Sequence, residues 1–137
     1  MDADHFMDLK QKAEAINAII TENVWFDMTI LDFNGFWNLE IIGSIDLTYY
    51  YTLKIVFKEI CHISINVDWH TEPSRPVFEL LEGAEDQRIR KQRCVLDEYA
   101  IFKITHEEAP PSEPFYVAAK DIAYSTEKVR SDVPLPC

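Results

Sequence analysis

Glycine and basic residues are both scarce in this chain, and each scarcity excludes a class of function. Only three glycines occur in 137 residues, at positions 35, 43 and 83, so no glycine-rich loop is available to bind a nucleotide phosphate. Thirteen lysines and arginines are outnumbered by 24 aspartates and glutamates, which gives a formal net charge of −11. Nucleic acids and anionic membranes both attract basic surfaces. We therefore expect neither nucleic acid nor a membrane as a partner.

Long apolar runs and paired cysteines are absent as well. The N-terminal residues MDADHFMDLKQK lack the cationic and apolar regions of a secretory signal, and no stretch reaches the ~20 apolar residues that span a bilayer. The cysteines at 61, 94 and 137 are odd in number and form no C-x-x-C pair, which is typical of free thiols in a reducing compartment. These features predict a cytoplasmic protein, and the sequence predicts no cofactor and no metal.

Apolar residues make up 47% of the sequence, which is enough for the core of one folded domain spanning residues 1–137. Residues 4–22 are predicted to form an amphipathic helix, because apolar side chains recur there at intervals of three and four. These side chains are Phe6, Leu9, Ala13, Ile16, Ile19 and Ile20. From 24 to 124 the apolar positions alternate, which predicts a β-meander. Residues 131–137 are predicted to be a frayed tail.

The strand region predicts an α+β fold, in which the N-terminal helix packs on a twisted, mostly antiparallel sheet of about six strands. The Asn34-Gly35 dipeptide indicates a tight turn between two strands. Strict alternation over 49–57 and again over 59–69 predicts two strands with one buried and one wetter face. Most connections are too short to contain a crossover helix, which argues against parallel pairing.

Three later segments have weaker patterns. Residues 82–92 are polar and are predicted to be a hairpin loop or a single helical turn. A long strand is predicted over 94–105, followed by a proline-rich loop. Residues 115–124 are predicted to start as a strand and to become helical near Lys120.

Two histidines lie close in sequence to a residue with which histidine can form a catalytic or metal site, namely a cysteine and an aspartate. Cys61 precedes His62, but neighbouring side chains of a strand point to opposite faces, so we expect a core thiol and a histidine on the wetter face. Asp68 and His70 share a face beside Glu72 and Arg75. They could form a metal or ligand site at the end of the sheet, but the spacing supplies only two ligands, and a solvated strand end is the favoured explanation.

The distribution of charge predicts a protein-binding surface. Six acids and no base occur between residues 13 and 53, whereas four bases cluster between 88 and 93. An acidic sheet face of this kind attracts basic proteins, and it also serves solubility. The predicted partner-binding residues are acids with one aromatic anchor, namely Glu40, Asp46, Tyr50, Asp68 and Glu72.

Two stretches resemble a group of known proteins. Residues 33–65 contain G-S-x-D followed by a tyrosine-rich strand that ends in F-x-x-I, and residues 115–122 read FYVAAKDI. In these features the chain resembles small acidic bacterial α+β domains, some of which are immunity proteins that neutralise toxins. The resemblance implies a non-enzymatic, protein-binding role, and it assigns a function to no single residue.

The sequence therefore leads to one main hypothesis and two alternatives. The main hypothesis is a non-enzymatic acidic domain that binds a basic protein, for example an immunity protein that neutralises a basic toxin. The first alternative is a small-ligand or metal-dependent enzyme with its site around Asp68 and His70. The second is a structural subunit that forms an oligomer through the strand at 49–51. A monomer and a homodimer both remain open.

Overall fold

The computed structural model describes six ranges of the chain, which contain two helices and nine strands. The described residues are 1–23, 26–34, 38–47, 49–71, 76–107 and 114–130. In chain order the elements are α1 (Ala3–Thr21), β1 (Phe26–Asn34), β2 (Asn38–Ser44), β3 (Tyr50–Tyr51), β4 (Leu53–Ser64), β5 (Asp68–Thr71), β6 (Phe78–Leu80), α2 (Gly83–Arg93), β7 (Ala100–Ile104), β8 (Phe115–Ser125) and β9 (Val129–Arg130).

Seven strands form one curled sheet in the order β5-β1-β2-β4-β8-β7-β6, and β3 pairs with β9 in a separate ribbon. Every strand pairing among the described residues is antiparallel. The curl brings the segment after β7 to the opposite edge of the sheet, where the Glu107 amide donates to the carbonyl of His70 in β5. The predicted α+β class and antiparallel sheet are confirmed. The meander is interrupted twice, because β5 returns to pair with β1 and β8 inserts beside β4.

Helix α1 packs its apolar stripe on the concave face of the sheet. Asp2 caps the helix by accepting a hydrogen bond from the Asp4 amide, 3.2 Å away. The side chains of Leu9, Ala13, Ile16 and Ile20 are at most 2% exposed. They form one core cluster with residues from the concave face. The predicted helix is therefore confirmed, displaced by one residue at each end.

Asn17 joins α1 to the edge strand β6. Its Oδ1 accepts hydrogen bonds from the amides of Val77 and Phe78, at 2.8 Å and 3.1 Å. An edge strand has backbone donors without a neighbouring strand, and here a side chain of α1 supplies the acceptor.

Two further α1 side chains join the helix to β8. The pairing of β7 with β8 ends at Ala100 and Ala119, so the carbonyls of Lys120 and Ile122 lie beyond it. His5 Nε2 lies 2.7 Å from the first carbonyl, and Lys12 Nζ lies 3.1 Å from the second. Helix α1 thus bridges the gap that the short strand β7 leaves between β6 and β8.

The centre of the core is aromatic and tightly packed. Phe57 is fully buried, and its ring centroid lies 6.1 Å from that of Phe78 and 5.6 Å from that of Phe102. At Gly43, a Cβ atom would collide with the buried ring of Phe26. Glycine at this position therefore allows the close approach of a side chain to the backbone of β2.

Residues 83–93 form the 11-residue helix α2, and the predicted loop or single turn is wrong. Only Ile89 of this helix is buried, so the apolar spacing that identifies a helix is missing. The charges stabilise it instead: acids occupy its first turn and bases its last, which suits the helix dipole. Arg90 also pairs with Asp86 one turn earlier, at 3.0 Å.

The predicted strand over 94–105 is shorter in the structure. Cys94 ends α2 with φ +56°, and β7 begins only at Ala100. The intervening turn is held by Arg90, whose Nη1 donates to the carbonyls of Leu96 and Tyr99. The predicted helical end of the 115–124 segment is also wrong, because pairing with β4 keeps β8 extended to Ser125.

The two alternating stretches do not form two neighbouring strands of equal length. Residues 53–64 form one strand, β4, whose alternation is broken at Glu59 with φ +54°, and a separate short strand covers 68–71. Tyr49, which the alternation over 49–57 places on the buried face, is 67% exposed, and Ile45 just after β2 is 54% exposed. The predicted tail at 131–137 and Gly35 of the predicted turn lie outside the described residues. In the part of the chain that is described, no helix has the length and apolarity needed to span a membrane.

Candidate partner-binding face

Four acidic residues lie on the convex side of β5, β1 and β2, and we call this surface the outer acidic face. In β1, Asp27 lies between the buried residues Phe26 and Met28, so its side chain points away from the core. The β1–β2 ladder pairs Asp32 with Glu40, and directly paired residues share a face. Asp68 of β5 pairs with Thr29 and is exposed. The outer acidic face consists of Asp27, Asp32, Glu40 and Asp68.

Charge on this face is only partly compensated. The three strands β1, β2 and β5 contain no lysine or arginine. Lys54 of the neighbouring strand β4 reaches Glu40, with Nζ 2.7 Å from Oε1. This hydrogen bond raises the pKa of Lys54, with Asp32 adding a smaller coulombic contribution. Glu40 is thus a paired charge, whereas Asp68 is an exposed one.

The other predicted binding residues are placed differently. Asp46 is exposed just after β2, where its amide donates to Ser44 Oγ, and Ser44 pairs with Asp27. Tyr50 lies in the β3–β9 ribbon, half-buried, with Lys128 Nζ 4.1 Å from its ring centroid. Glu72 lies outside the described residues. Sequence reasoning missed Asp27 and Asp32. Asp27 lies beside β5 through a strand order that is not local, and Asp32 lies opposite Glu40 in the β1–β2 ladder.

The structure does not bring Asp68 and His70 together as a pair. His70 Nδ1 lies 2.7 Å from Oδ1 of Asp27, the residue opposite it in the β1–β5 ladder. Arg75, the basic member of the hypothetical site, lies outside the described residues. Among the residues that are described, three potential metal ligands converge only elsewhere, on α1 and β8.

A polar cluster that sequence reasoning missed surrounds the irregularity in β4. The pairing register with β8 shifts between Ile60 and His62, which is a β-bulge. Lys120 of β8 lies 3.9 Å from Glu59 and 3.7 Å from Glu98, and its Nζ also lies over the ring of Tyr99. The Lys58-Glu59 pair, which interrupts the apolar alternation, is the sequence signal for this site.

The bulge falls at the Cys61-His62 pair, where Cys61 is the extra residue of β4. Cys61 is exposed, so the predicted core thiol is wrong, and the extra residue of the bulge is the reason. Partial burial raises the pKa of the Cys61 thiol, which disfavours the nucleophilic thiolate. Arg93 Nη1 lies 3.4 Å from Nε2 of His62. A guanidinium only donates, so Nε2 accepts and the proton of neutral His62 lies on Nδ1.

We expect His62 to make the fold less stable in acid. Burial, followed by the charge of Arg93, lowers the pKa of His62 below its ordinary value of 6.5. The unfolded chain then binds the proton more readily, so this contribution to stability is complete above pH 6.5 and is lost as the pH falls below that value. Urea unfolding at about pH 7.5 and pH 5.5 should show a smaller loss for His62→Gln than for the wild type. Equal losses in the two proteins would contradict this assignment.

Two of the four bases in the predicted basic segment are held in contacts, and the other two are exposed. Arg90 is committed to Asp86 and to the turn after α2, and Arg93 lies over the ring of Tyr116 at 5.4 Å. Arg88, at 64% side-chain exposure, lies 4.0 Å from Glu85. Arg88 and Lys91 are therefore the exposed bases of this segment.

Two surface grooves have volumes of about 430 and 440 Å³. The first lies between the start of α1, α2 and β7, and the second lies between α1 and β6. Neither is lined by Asp68, His70 or the outer acidic face. These two grooves therefore do not provide a substrate pocket for the enzyme site predicted around Asp68 and His70.

Comparison with known proteins does not assign the chain to a family. No family model, no curated protein and no solved structure matches it. The resemblance to immunity domains therefore stays a prediction, and the function has to be argued from the site.

Proposed function

We propose that this protein is a non-enzymatic interaction domain, which binds a basic protein through its outer acidic face. The concrete form of the proposal is an immunity protein that neutralises a basic toxin. Masking a toxin requires a complementary surface rather than a catalytic centre, and charge complementarity both orients and accelerates such an association.

The outer acidic face is the observation that supports this function. Three adjacent strands contribute four carboxylates to one side of the sheet and contribute no lysine or arginine. Cross-strand neighbours lie about 5 Å apart and diagonal neighbours about 7–8 Å. Asp32 lies directly opposite Glu40, and Asp27 lies diagonal to Asp68, so repulsion within each pair costs stability, and a basic partner relieves it on binding.

Exposed apolar side chains beside these acids supply contact area. Ile45 and Tyr49 flank Asp46 in the segment that follows β2, and both are more than half exposed. Tyrosine is enriched at the centres of protein interfaces, where its ring excludes water around polar contacts. We infer that this segment extends the binding surface beyond the end of β2.

The first test is capture of a partner at low salt. Wild type, Asp68→Lys and the control Asp97→Lys are immobilised and exposed to lysate of the source cells, and bound proteins are identified by mass spectrometry. Asp97 is an exposed acid in the turn after α2, outside the outer acidic face. We expect a basic protein to bind wild type and Asp97→Lys and to be lost from Asp68→Lys. Equal capture by all three proteins would refute binding through this face.

The second test measures association rates with the captured partner. At about 20 mM salt, Asp68→Lys should associate roughly 3–10-fold more slowly than wild type, because steering acts over a Debye length of more than about 10 Å. At about 0.5 M salt the difference should fall below about twofold. Asp97→Lys corrects for the change in net charge. A rate that is indifferent to salt would rule out electrostatic steering.

A further inference from the structure

The strongest unassigned cluster joins the first turns of α1 to β8. His5, Asp8 and Asp121 each offer one ligand atom, and these atoms lie within 4.8 Å of one another. His5 and Asp121 are half-buried, and Asp8 is exposed. Ligands of one zinc ion lie about 2.0–2.2 Å from it and therefore about 3–4 Å from each other, so rotation of the side chains is sufficient to close the group around a cation.

The hydrogen bond of His5 prepares its ring for a metal. Nε2 lies 2.7 Å from the carbonyl of Lys120. A carbonyl only accepts, so Nε2 is the donor, and the lone pair of the neutral ring lies on Nδ1. A histidine that donates one ring N–H to a backbone carbonyl and binds metal through the other nitrogen is the usual arrangement in metalloproteins.

The cluster already holds a positive charge. Lys12 Nζ lies 3.1 Å from Asp8 and 3.5 Å from Asp121. The two carboxylates and one ammonium sum to −1, whereas a divalent cation in place of the ammonium gives zero. Lys12 has a flexible stem and is 31% exposed, so the ammonium can move into water when a cation enters, with loss of its 3.1 Å hydrogen bond to the Ile122 carbonyl.

We propose that His5, Asp8 and Asp121 form a site for a divalent transition metal of the zinc class, which binds by displacing the ammonium of Lys12. A nitrogen and two carboxylate oxygens suit Zn²⁺ and Co²⁺, with water completing the coordination. The bound ion would fasten α1 to β8. This site is independent of the outer acidic face.

The experiment titrates the full chain with Co²⁺, followed by visible absorption, and with Zn²⁺, followed by calorimetry and thermal unfolding. We expect one equivalent to bind, to add the absorption of nitrogen- and oxygen-bound Co²⁺ and to raise the melting temperature. His5→Gln and Asp121→Asn should each weaken binding by at least about tenfold. The control Asp4→Asn makes the same chemical change on α1 outside the cluster and should bind like the wild type.

Lys12→Met separates this proposal from a purely structural ion pair. Removing the competing ammonium should tighten Co²⁺ binding by about fivefold, which corresponds to the worth of a partly exposed ion pair. Absence of binding in both wild type and Lys12→Met would overturn the proposal. So would binding that persists in Asp121→Asn, or an affinity that Lys12→Met leaves unchanged.

Discussion

Replacement of Phe57 by alanine is expected to lower the free energy of unfolding by about 3–5 kcal/mol, the largest effect of any change considered for this fold. The side chain is fully buried, and its ring packs against those of Phe78 and Phe102 from two other strands. Truncation leaves a cavity that cannot collapse freely, because β4 is held between its paired neighbours β2 and β8. Urea denaturation with tryptophan fluorescence measures the loss.

The matched control is Phe33→Ala. Phe33 is the second-last residue of β1 and is 49% exposed, so the same chemical change removes little buried area. We expect a loss below about 1 kcal/mol. Similar losses for the two variants would show that Phe57 is not at the centre of the core.

Replacement of Asn17 by leucine is expected to cost about 2–4 kcal/mol, although leucine has a similar volume. The amides of Val77 and Phe78 lose their acceptor, and each buried donor left unsatisfied costs about 1–3 kcal/mol. Replacing the polar side chain of Asn17 changes the stability of α1 itself by less than this. The loss in the free energy of unfolding therefore reports on the two amides at the sheet edge.

Hydrogen exchange tests the physical reason for this loss. The amides of Val77 and Phe78 should exchange faster in Asn17→Leu than in wild type by more than the change in global stability allows. Asn23→Leu serves as the control, because the Asn23 side chain donates to the Ile19 carbonyl within α1 and not to the edge strand. Unchanged local protection in Asn17→Leu would refute the capping role.

The sequence predicts the fold wherever apolar spacing is regular. The stripe from Leu9 to Ile20 and the alternation around Ile55 each bury one face, so their periods reveal a helix and a strand. Helix α2 escapes this reasoning because only Ile89 is buried, and its helical state depends on charges and on tertiary contacts. The bulge between Ile60 and His62 escapes it too, since an extra residue changes the phase of a strand without changing its composition.

The candidate sites were predictable only in part, for a related reason. Glu40 and Asp68 are identified from their parity within a strand, and both lie on the convex side of the sheet. The position of Asp68 beside Asp27 requires the return of β5 to β1. The cluster around His5 requires contact with Asp121, which is more than 100 residues later in the sequence. Contacts of this kind depend on strand order, which local patterns do not specify.

The fastening of α1 to β6 and β8 has a consequence for biosynthesis. The helix leaves the ribosome before the strands that it contacts, and 110 residues separate Lys12 from its acceptor in β8. At about 5–20 residues per second, translation of that interval lasts roughly 5–20 seconds. Throughout this time the apolar stripe of the nascent helix lacks the complete sheet that covers it in the folded protein, so we expect it to be a substrate for chaperones that bind nascent chains.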